Sequence, residues 1–273
     1  MNEMNNNLNQ NTLTSEEERI RQEKIEALNK RLTQKEEKEK SGWGGIFWTV
    51  IAALAIRSLI FEPYNIPSSS MVPSLLVGDY LFVTKFDYGY SKHSFPLSLP
   101  LIPVGRLFYN PPQRGDIVVF KKPPENSTDY VKRVIGMPGD IIQMRSGRLY
   151  INDQIVPREE KGQELCNTEQ GEQLYTRYTE TLPNGVTHDI YELTDENKYD
   201  DTPRMEIPPD SFFMMGDNRD NSLDSRDFGF VPAQNLEGKA RLIFYSNDGT
   251  GWFFQFWRWK EFLRLERFFT DIK

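Results

Sequence analysis

The distribution of apolar residues divides the chain before any motif is considered. Residues 1–42 contain no run able to build a core; they are Asn-rich at first and then a mixture of Glu, Lys and Arg. The segment "WGGIFWTVIAALAIRSLI", Trp43 to Ile60, then runs eighteen residues with a single charge, Arg57, near its far end. That is about the length at which a helix crosses a hydrocarbon layer, and an arginine so placed can extend to the interface. Beyond it the pattern shortens. "GDYLFVTKF" from Gly78, "GDIVVF" from Gly115, "GDIIQM" from Gly139 and "GRLYIN" from Gly147 are β-branched and aromatic runs that follow turn residues, which predicts strands. "SFPLSLPLIPVG" (Ser94 to Gly105) and the polar "KGQELCNTEQGEQ" (Lys161 to Gln173) read as long connections. A hairpin is predicted around Pro183-Asn184-Gly185. At the end, Trp252, Phe256, Trp259, Phe262, Leu263 and Phe269 recur at helical spacing, with Arg258, Lys260, Arg264 and Arg267 between them.

The predicted class is mainly β: an antiparallel-rich sheet or barrel with one N-terminal transmembrane helix and a C-terminal amphipathic helix. Residues 1–42 form a polar tail, 43–61 an anchor and 62–251 a β-rich domain. Within that domain, about 158–207 read as an insertion, and 252–273 form the closing aromatic helix. Ala53-Leu54-Ala55 resembles a signal-peptide cleavage site, and a buried core helix is a further alternative for the apolar run. The 42 polar residues ahead of it are far longer than a secretory n-region, so an uncleaved anchor is expected. Lys30, Arg31, Lys35, Lys38 and Lys40 precede the span, whereas only Arg57 and then Lys85 follow; this bias puts the N-terminus in the cytoplasm. The stretch Glu16 to Lys40 favours a solvated helix with mixed i,i+4 charges. The closing aromatic helix has the composition of an interfacial helix, although its rings could equally pack on the β domain.

Composition narrows the chemistry. Hydrophobic residues make up 38% of 273, enough for a core, and the net charge is −7. The part between the anchor and the closing aromatic segment carries about −9, the wrong sign for nucleic acid. One cysteine, Cys166, excludes an intramolecular disulfide and a cysteine metal cluster, and His93 and His188 leave little material for zinc; no metal or cofactor is expected.

"IPSSSMVPSLLVGD", Ile66 to Asp79, places three serines between prolines and beside apolar residues. A serine attacks only if a base takes its proton. His93 and His188 lie in segments that read as exposed loops, which leaves a lysine or a carboxylate. In "DYVKRVIGMPGD", Asp129 to Asp140, strand alternation puts Tyr130, Lys132 and Val134 on one face and Val131, Arg133 and Ile135 on the other. Apolar neighbours would disfavour the ammonium form of Lys132, the condition for a lysine base. Lys85, in "LFVTKF", passes the same test, so the pattern does not choose between them. A third cluster, "MMGDNRDNSLDSRDFGFVP" from Met214 to Pro232, interleaves Arg219 and Arg226 with Asp217, Asp220, Asp224 and Asp227. It reads as a buried hydrogen-bonded corner more than as a solvated turn.

These clusters, with "RGDIVVF" (Arg114 to Phe120) between the first two and in this order after an anchor, resemble the type I signal peptidases of bacteria, a family of serine/lysine endopeptidases. The resemblance implies Ser70 as nucleophile and Lys132 as general base, in preference to Lys85. It implies an oxyanion hole from the Ser70 backbone N–H and the Ser68 hydroxyl, with Ser69 in place of the small residue usual between them. Ser222 would orient the lysine amine and Asp224 would support the site, while Asp217, Arg133 and Arg226 would form structural ion pairs. Substrate pockets for small residues would be lined by Tyr64, Ile66, Pro67, Met71, Leu75, Tyr130 and Val131. The expected partners are preproteins bearing signal peptides, membrane lipid and the export machinery. The expected place is the cytoplasmic membrane, single-pass, with the peptidase domain on the outer face. Competing readings are a self-cleaving repressor type of serine/lysine peptidase, which would need a DNA-binding domain, and a membrane-tethered β scaffold without peptidase activity.

Overall fold

The structure, a computed structural model, describes residues 2–95, 102, 105–168, 171–251 and 256–272, without the side chains of 2–15, 34–43 and 256. It divides into two compact units, Met1–Ala55 and Ile56–Lys273. The first is helical, part of α1 (Asn2–Leu59). The side chains of 16–33 are exposed throughout, as expected of a charged helix in solvent. Ile46, Phe47, Trp48, Val50 and Leu54 are exposed as well. Among the described residues no helix is long and apolar enough to cross a membrane. The side chain of Trp43, where the predicted span begins, lies outside the described residues.

The second unit is built from β1 (Phe61–Asn65), β2 (Asp79–Thr84), β3 (Ile117–Lys121), β4 (Asp129–Gly136), β5 (Ile141–Arg145), β6 (Arg148–Ile151) and β7 (Gln154–Ile155). After these come β8 (Arg158–Thr168), β9 (Gly171–Thr181), β10 (Thr187–Glu192), β11 (Met205–Glu206) and β12 (Ser211–Met215). A short α2 (Ser225–Phe228), β13 (Val231–Pro232), β14 (Leu236–Ser246), α3 (Trp259–Phe262) and β15 (Thr270–Asp271) complete it. The main sheet runs β1-β2-β14-β3-β4-β12-β13, with β15 beside β14, and the strand pairs in it are antiparallel. The path is open, with β1 at one edge. Smaller sheets run β10-β9-β8 and β11-β5-β6-β7.

The run "IVVF" explains why β3 lies in the middle. Ile117 and Val119 pack with Leu81, Val83 and Ile243 in one cluster, whereas Val118 and Phe120 pack with Val134, Phe212 and Met214 in another. A strand covered on both faces needs apolar residues at every position, each contributing about 1.5–3 kcal/mol on burial.

The Gly-Asp turns share one construction. Gly78, Gly115 and Gly139 have φ of 88°, 98° and 84°, a region that side chains with a Cβ rarely enter. Each following aspartate accepts the N–H three residues before it: Asp79 from Leu76 (2.8 Å), Asp116 from Gln113 (2.9 Å) and Asp140 from Met137 (2.7 Å). A glycine and a carboxylate thus close each loop just before a strand begins.

The hairpin predicted at Pro183-Asn184-Gly185 joins β9 to β10, with Thr181 opposite Thr187. Two expectations need correction. Lys161 to Gln173 is no connection: its described residues belong to β8 and β9, a long hairpin whose β8 is largely exposed. With little to bury, it carries no apolar alternation to mark it. The C-terminal segment is no continuous amphipathic helix either. Its described part consists of two short 3₁₀ turns, the four-residue α3 and β15; Trp252 and the side chain of Phe256 lie outside the described residues. Arg264 donates to the carbonyls of Val77 (2.9 Å) and Asn247 (3.0 Å), and Arg267 to that of Ser74 (3.0 Å) and to Asp79. Phe262 is fully buried. These tertiary bonds hold the chain against the β domain and override helical propensity.

Candidate active site

The serines of the first cluster sit in a tight turn held from beneath. Ser69–Met71 form a single 3₁₀ turn. Met71 and Leu75 are buried in the core with Ile66, and the Leu75 N–H donates to the Met71 carbonyl at 2.9 Å. Apolar anchors before, within and after the turn therefore fix the position of Ser70.

Lys132 lies in β4, between β3 and β12, with Val118 opposite it. Its same-face neighbours Tyr130 and Val134 belong to one apolar cluster, as alternation predicted. The lysine is 3% exposed, and its Nζ lies 2.6 Å from Ser70 Oγ. Burial pulls its pKa from 10.5 down to about 8; Asp224 and Asp217 oppose that fall and Arg226 adds to it. A fall of that size raises the neutral fraction at pH 7 roughly 300-fold. Lys85 is equally buried, but its Nζ meets Glu62 (2.7 Å) and the Ser94 carbonyl (2.8 Å). Of the two strand lysines, Lys132 is the one brought to Ser70.

The third cluster closes over this pair. Gly216, next to β12, leaves room for it: a Cβ there would stand 2.2 Å from Ser222 Oγ and 2.5 Å from the Ser70 carbonyl. Ser222 Oγ donates to Asp224 (2.8 Å), which also accepts from the Gly216 N–H (3.0 Å) and from Arg226 (2.9 Å). Burial opposes ionisation of Asp224, yet the Arg226 guanidinium and these donors hold its carboxyl below the usual range. Arg133 forms a bidentate pair with Asp217 at 2.9 and 2.7 Å, both side chains 1% exposed. The Asn218 N–H donates to the Ser70 carbonyl at 3.1 Å.

A cleft of about 660 Å³ opens in front of Ser70. Tyr64, Ile66, Pro67, Ser68, Met71, Tyr130, Val131 and Lys132 line it, with Ser222 and Leu223 from the third cluster. Leu75 does not: it is fully buried in the core and supports the wall from behind. Tyr64 and Asp129 line both this cleft and a second, charged cavity, where the Tyr64 hydroxyl donates to Glu237 and lies 3.3 Å from Glu62. Among the described residues no group of three or more His, Cys, Asp or Glu side chains could hold a metal ion.

A buried serine–lysine contact backed by an Asp/Arg corner can be compared with known proteins. Residues 41–245 match the model of the family described as "Signal peptidase, peptidase S26". The chain belongs to this family. It is 40% identical over 251 residues to a signal peptidase I of Rickettsia conorii (strain ATCC VR-613 / Malish 7), covering 85% of this chain and 93% of that one. It is 38% identical over 263 residues to a signal peptidase I of Rickettsia typhi (strain ATCC VR-144 / Wilmington), covering 90% and 98%. A solved signal peptidase I from Enterococcus faecalis V583 is 28% identical over 48% of this chain and 97% of its own, with a TM-score of 0.28.

Several buried or cleft-lining residues carry no mark of it in the sequence around them. His188, read as an exposed loop residue, is 6% exposed, with its Nε2 3.5 Å from Glu180 and 3.9 Å from Asp217. Burial lowers its pKa to about 4, so it is neutral at pH 7. His93 is likewise buried, at 4% exposure, not exposed. Glu180, from the polar insertion, pairs with Arg219 at 3.1 Å, and Tyr199, from the same insertion, lines the cleft. Asn218 and Asn221 were visible only as turn residues.

Proposed function

We propose that this signal peptidase family member is a membrane-anchored serine endopeptidase that removes N-terminal signal peptides from exported preproteins. The observation that best supports the chemistry is the 2.6 Å contact between a fully buried Lys132 amine and Ser70 Oγ. A neutral amine there takes the Ser70 proton as Oγ attacks the scissile carbonyl. The oxyanion that forms accepts from the Ser70 backbone N–H and from the hydroxyl of Ser68, whose Oγ lies 3.3 Å from Ser70 Oγ. Lys132 then gives its proton to the leaving amine, and the C–N bond breaks to leave an ester on Ser70. Water, deprotonated by the same amine, attacks the ester and releases the signal peptide. The Ser222 hydroxyl, already donating to Asp224, keeps lone pairs that can accept from the amine and orient it.

The substrate lies extended along the edge strand β1 and the start of β4, where main-chain bonds give affinity. Ile66, Met71, Tyr130 and Val131 crowd the wall, so small side chains enter and large ones are refused. Trp43 to Ile60 serves as the anchor. The exposed apolar side chains between Ile46 and Leu54 fit a lipid environment better than water, and the basic residues before them favour a cytoplasmic N-terminus. A substrate held in the same bilayer then meets the enzyme in two dimensions, near the export machinery that delivers it.

The test is incubation of the full chain, in detergent, with a preprotein. The wild type is expected to release one shortened product, and Ser70→Ala to leave the preprotein intact. Release of that product by Ser70→Ala at the wild-type rate would overturn the proposal.

A further inference from the structure

A three-residue 3₁₀ turn cannot hold a nucleophile by itself, because it is too short to be stable in isolation. Something must keep Ser70 Oγ within reach of Lys132 Nζ. On the C-terminal side Met71, 1% exposed, is the anchor. On the N-terminal side the nearest anchor is Ile66, in the same core cluster, whereas Pro67 and Ser68 are exposed and line the open cleft. Between them Ser69 is wholly buried, and it is gripped by residues far away in sequence. Asn221 Nδ2 donates to Ser69 Oγ at 2.6 Å. Asn218 Nδ2 donates to the Ser69 carbonyl at 3.2 Å, and the Asn218 N–H to the Ser70 carbonyl at 3.1 Å.

The gripping side is itself fixed. Arg219–Asn221 form another 3₁₀ turn. Arg219 is paired with the buried Glu180, and Asp220 accepts the backbone N–H groups of Leu193 (2.7 Å) and Thr194 (3.1 Å). The turn over Ser69 is thus held by β9 and by the segment just after β10.

We infer that Asn221, acting through the hydroxyl of Ser69, is a positioning residue for the nucleophile, an inference that rests on the reading of Ser70 above. Two of the three grips run to backbone carbonyls. The Asn221–Ser69 bond joins two side chains and can be removed without altering the backbone. Its loss leaves the Asn218 bonds in place but frees the turn to drift, and misplacement by about 1 Å costs on the order of 10²-fold in rate. With two grips intact, about a tenfold loss is expected. Asn221 also lines the cleft, so a direct contact with substrate is the rival role. Ser69 discriminates between the two, because it is 0% exposed and does not line the cleft.

The experiment is a double-mutant cycle on the full chain in detergent, with a fluorogenic peptide carrying small residues before the cleaved bond and Ser70→Ala as control. Ser69→Ala and Asn221→Ala are each expected to lower kcat about tenfold with KM changed less than twofold, and the double variant to be no slower than the slower single. Unchanged kcat in Ser69→Ala, losses that multiply in the double variant, or a rise in KM that accounts for the Asn221→Ala defect would each overturn the inference. Ser69→Gly, which removes the same hydroxyl, replaces Ser69→Ala if the latter does not accumulate folded. An inactive Ser70→Ala beside a fully active Ser69→Ala would refute the grip alone, whereas an active Ser70→Ala would refute the nucleophile assignment beneath it.

Discussion

Lys132→Met is expected to lower kcat on a preprotein by about 10³- to 10⁴-fold while leaving the protein folded, since a general base supplies a factor of that order and no histidine is among the described residues that line the cleft. Met matches the length and apolar character of the lysine stem, so the strand keeps its packing. The sign of the stability change is a separate check. The folded-state pKa is about 8, below the ordinary 10.5, so the unfolded chain binds that proton more tightly. Burying the ammonium therefore destabilises the fold fully below pH 8, and the cost fades as pH rises from 8 to 10.5. At pH 7 Lys132→Met should be dead as an enzyme and higher in Tm than the wild type. Cleavage assays beside thermal unfolding at pH 7 check both; a variant that is active, or lower in Tm, counts against a buried amine doing this chemistry.

Asp217→Ala is expected to have the largest effect on stability. It strands Arg133, whose side chain is 1% exposed and whose guanidinium makes two of its bonds to that carboxylate. Breaking one half of a buried pair costs about 3–5 kcal/mol, a large part of a typical 5–15 kcal/mol of total stability. A drop in Tm of about 10 °C follows for a domain of this size. The double variant Asp217→Ala/Arg133→Met should recover much of the loss, because no charge is left buried alone. Thermal unfolding of the two variants decides it: equal Tm values would mean that the penalty does not come from the stranded guanidinium.

What was legible in the sequence was whatever depends on neighbours along the chain. The Gly-Asp turns, the "IVVF" strand and the hairpin at Pro183-Asn184-Gly185 are local, and the structure has them where they were predicted. The alternation around Lys132 was local too, and Tyr130 and Val134 share an apolar cluster as it required. The choice between Lys85 and Lys132 was not, because it turns on partners elsewhere: Glu62 meets the one and Ser70 the other. His188 was misread for the same reason. Its surroundings, Glu180 and Asp217, come from β9 and the third cluster, and nothing next to it in "VTHDI" signals burial. The closing segment kept its helical spacing of aromatics but lost the helix to arginine bonds with distant carbonyls. Leu75 sits one layer below the cleft wall it was expected to form, since the turn it follows points it inward.

The most direct test of the proposed dyad is the pH dependence of kcat/KM for the full chain on a short peptide substrate, from about pH 6 to about pH 10. Only the neutral amine accepts the Ser70 proton, so the rate should climb about tenfold per pH unit and level off through an apparent pKa of about 8. A rate still climbing at pH 10, as for a lysine of ordinary pKa 10.5, or one that does not vary over this range, would contradict a base made neutral by burial.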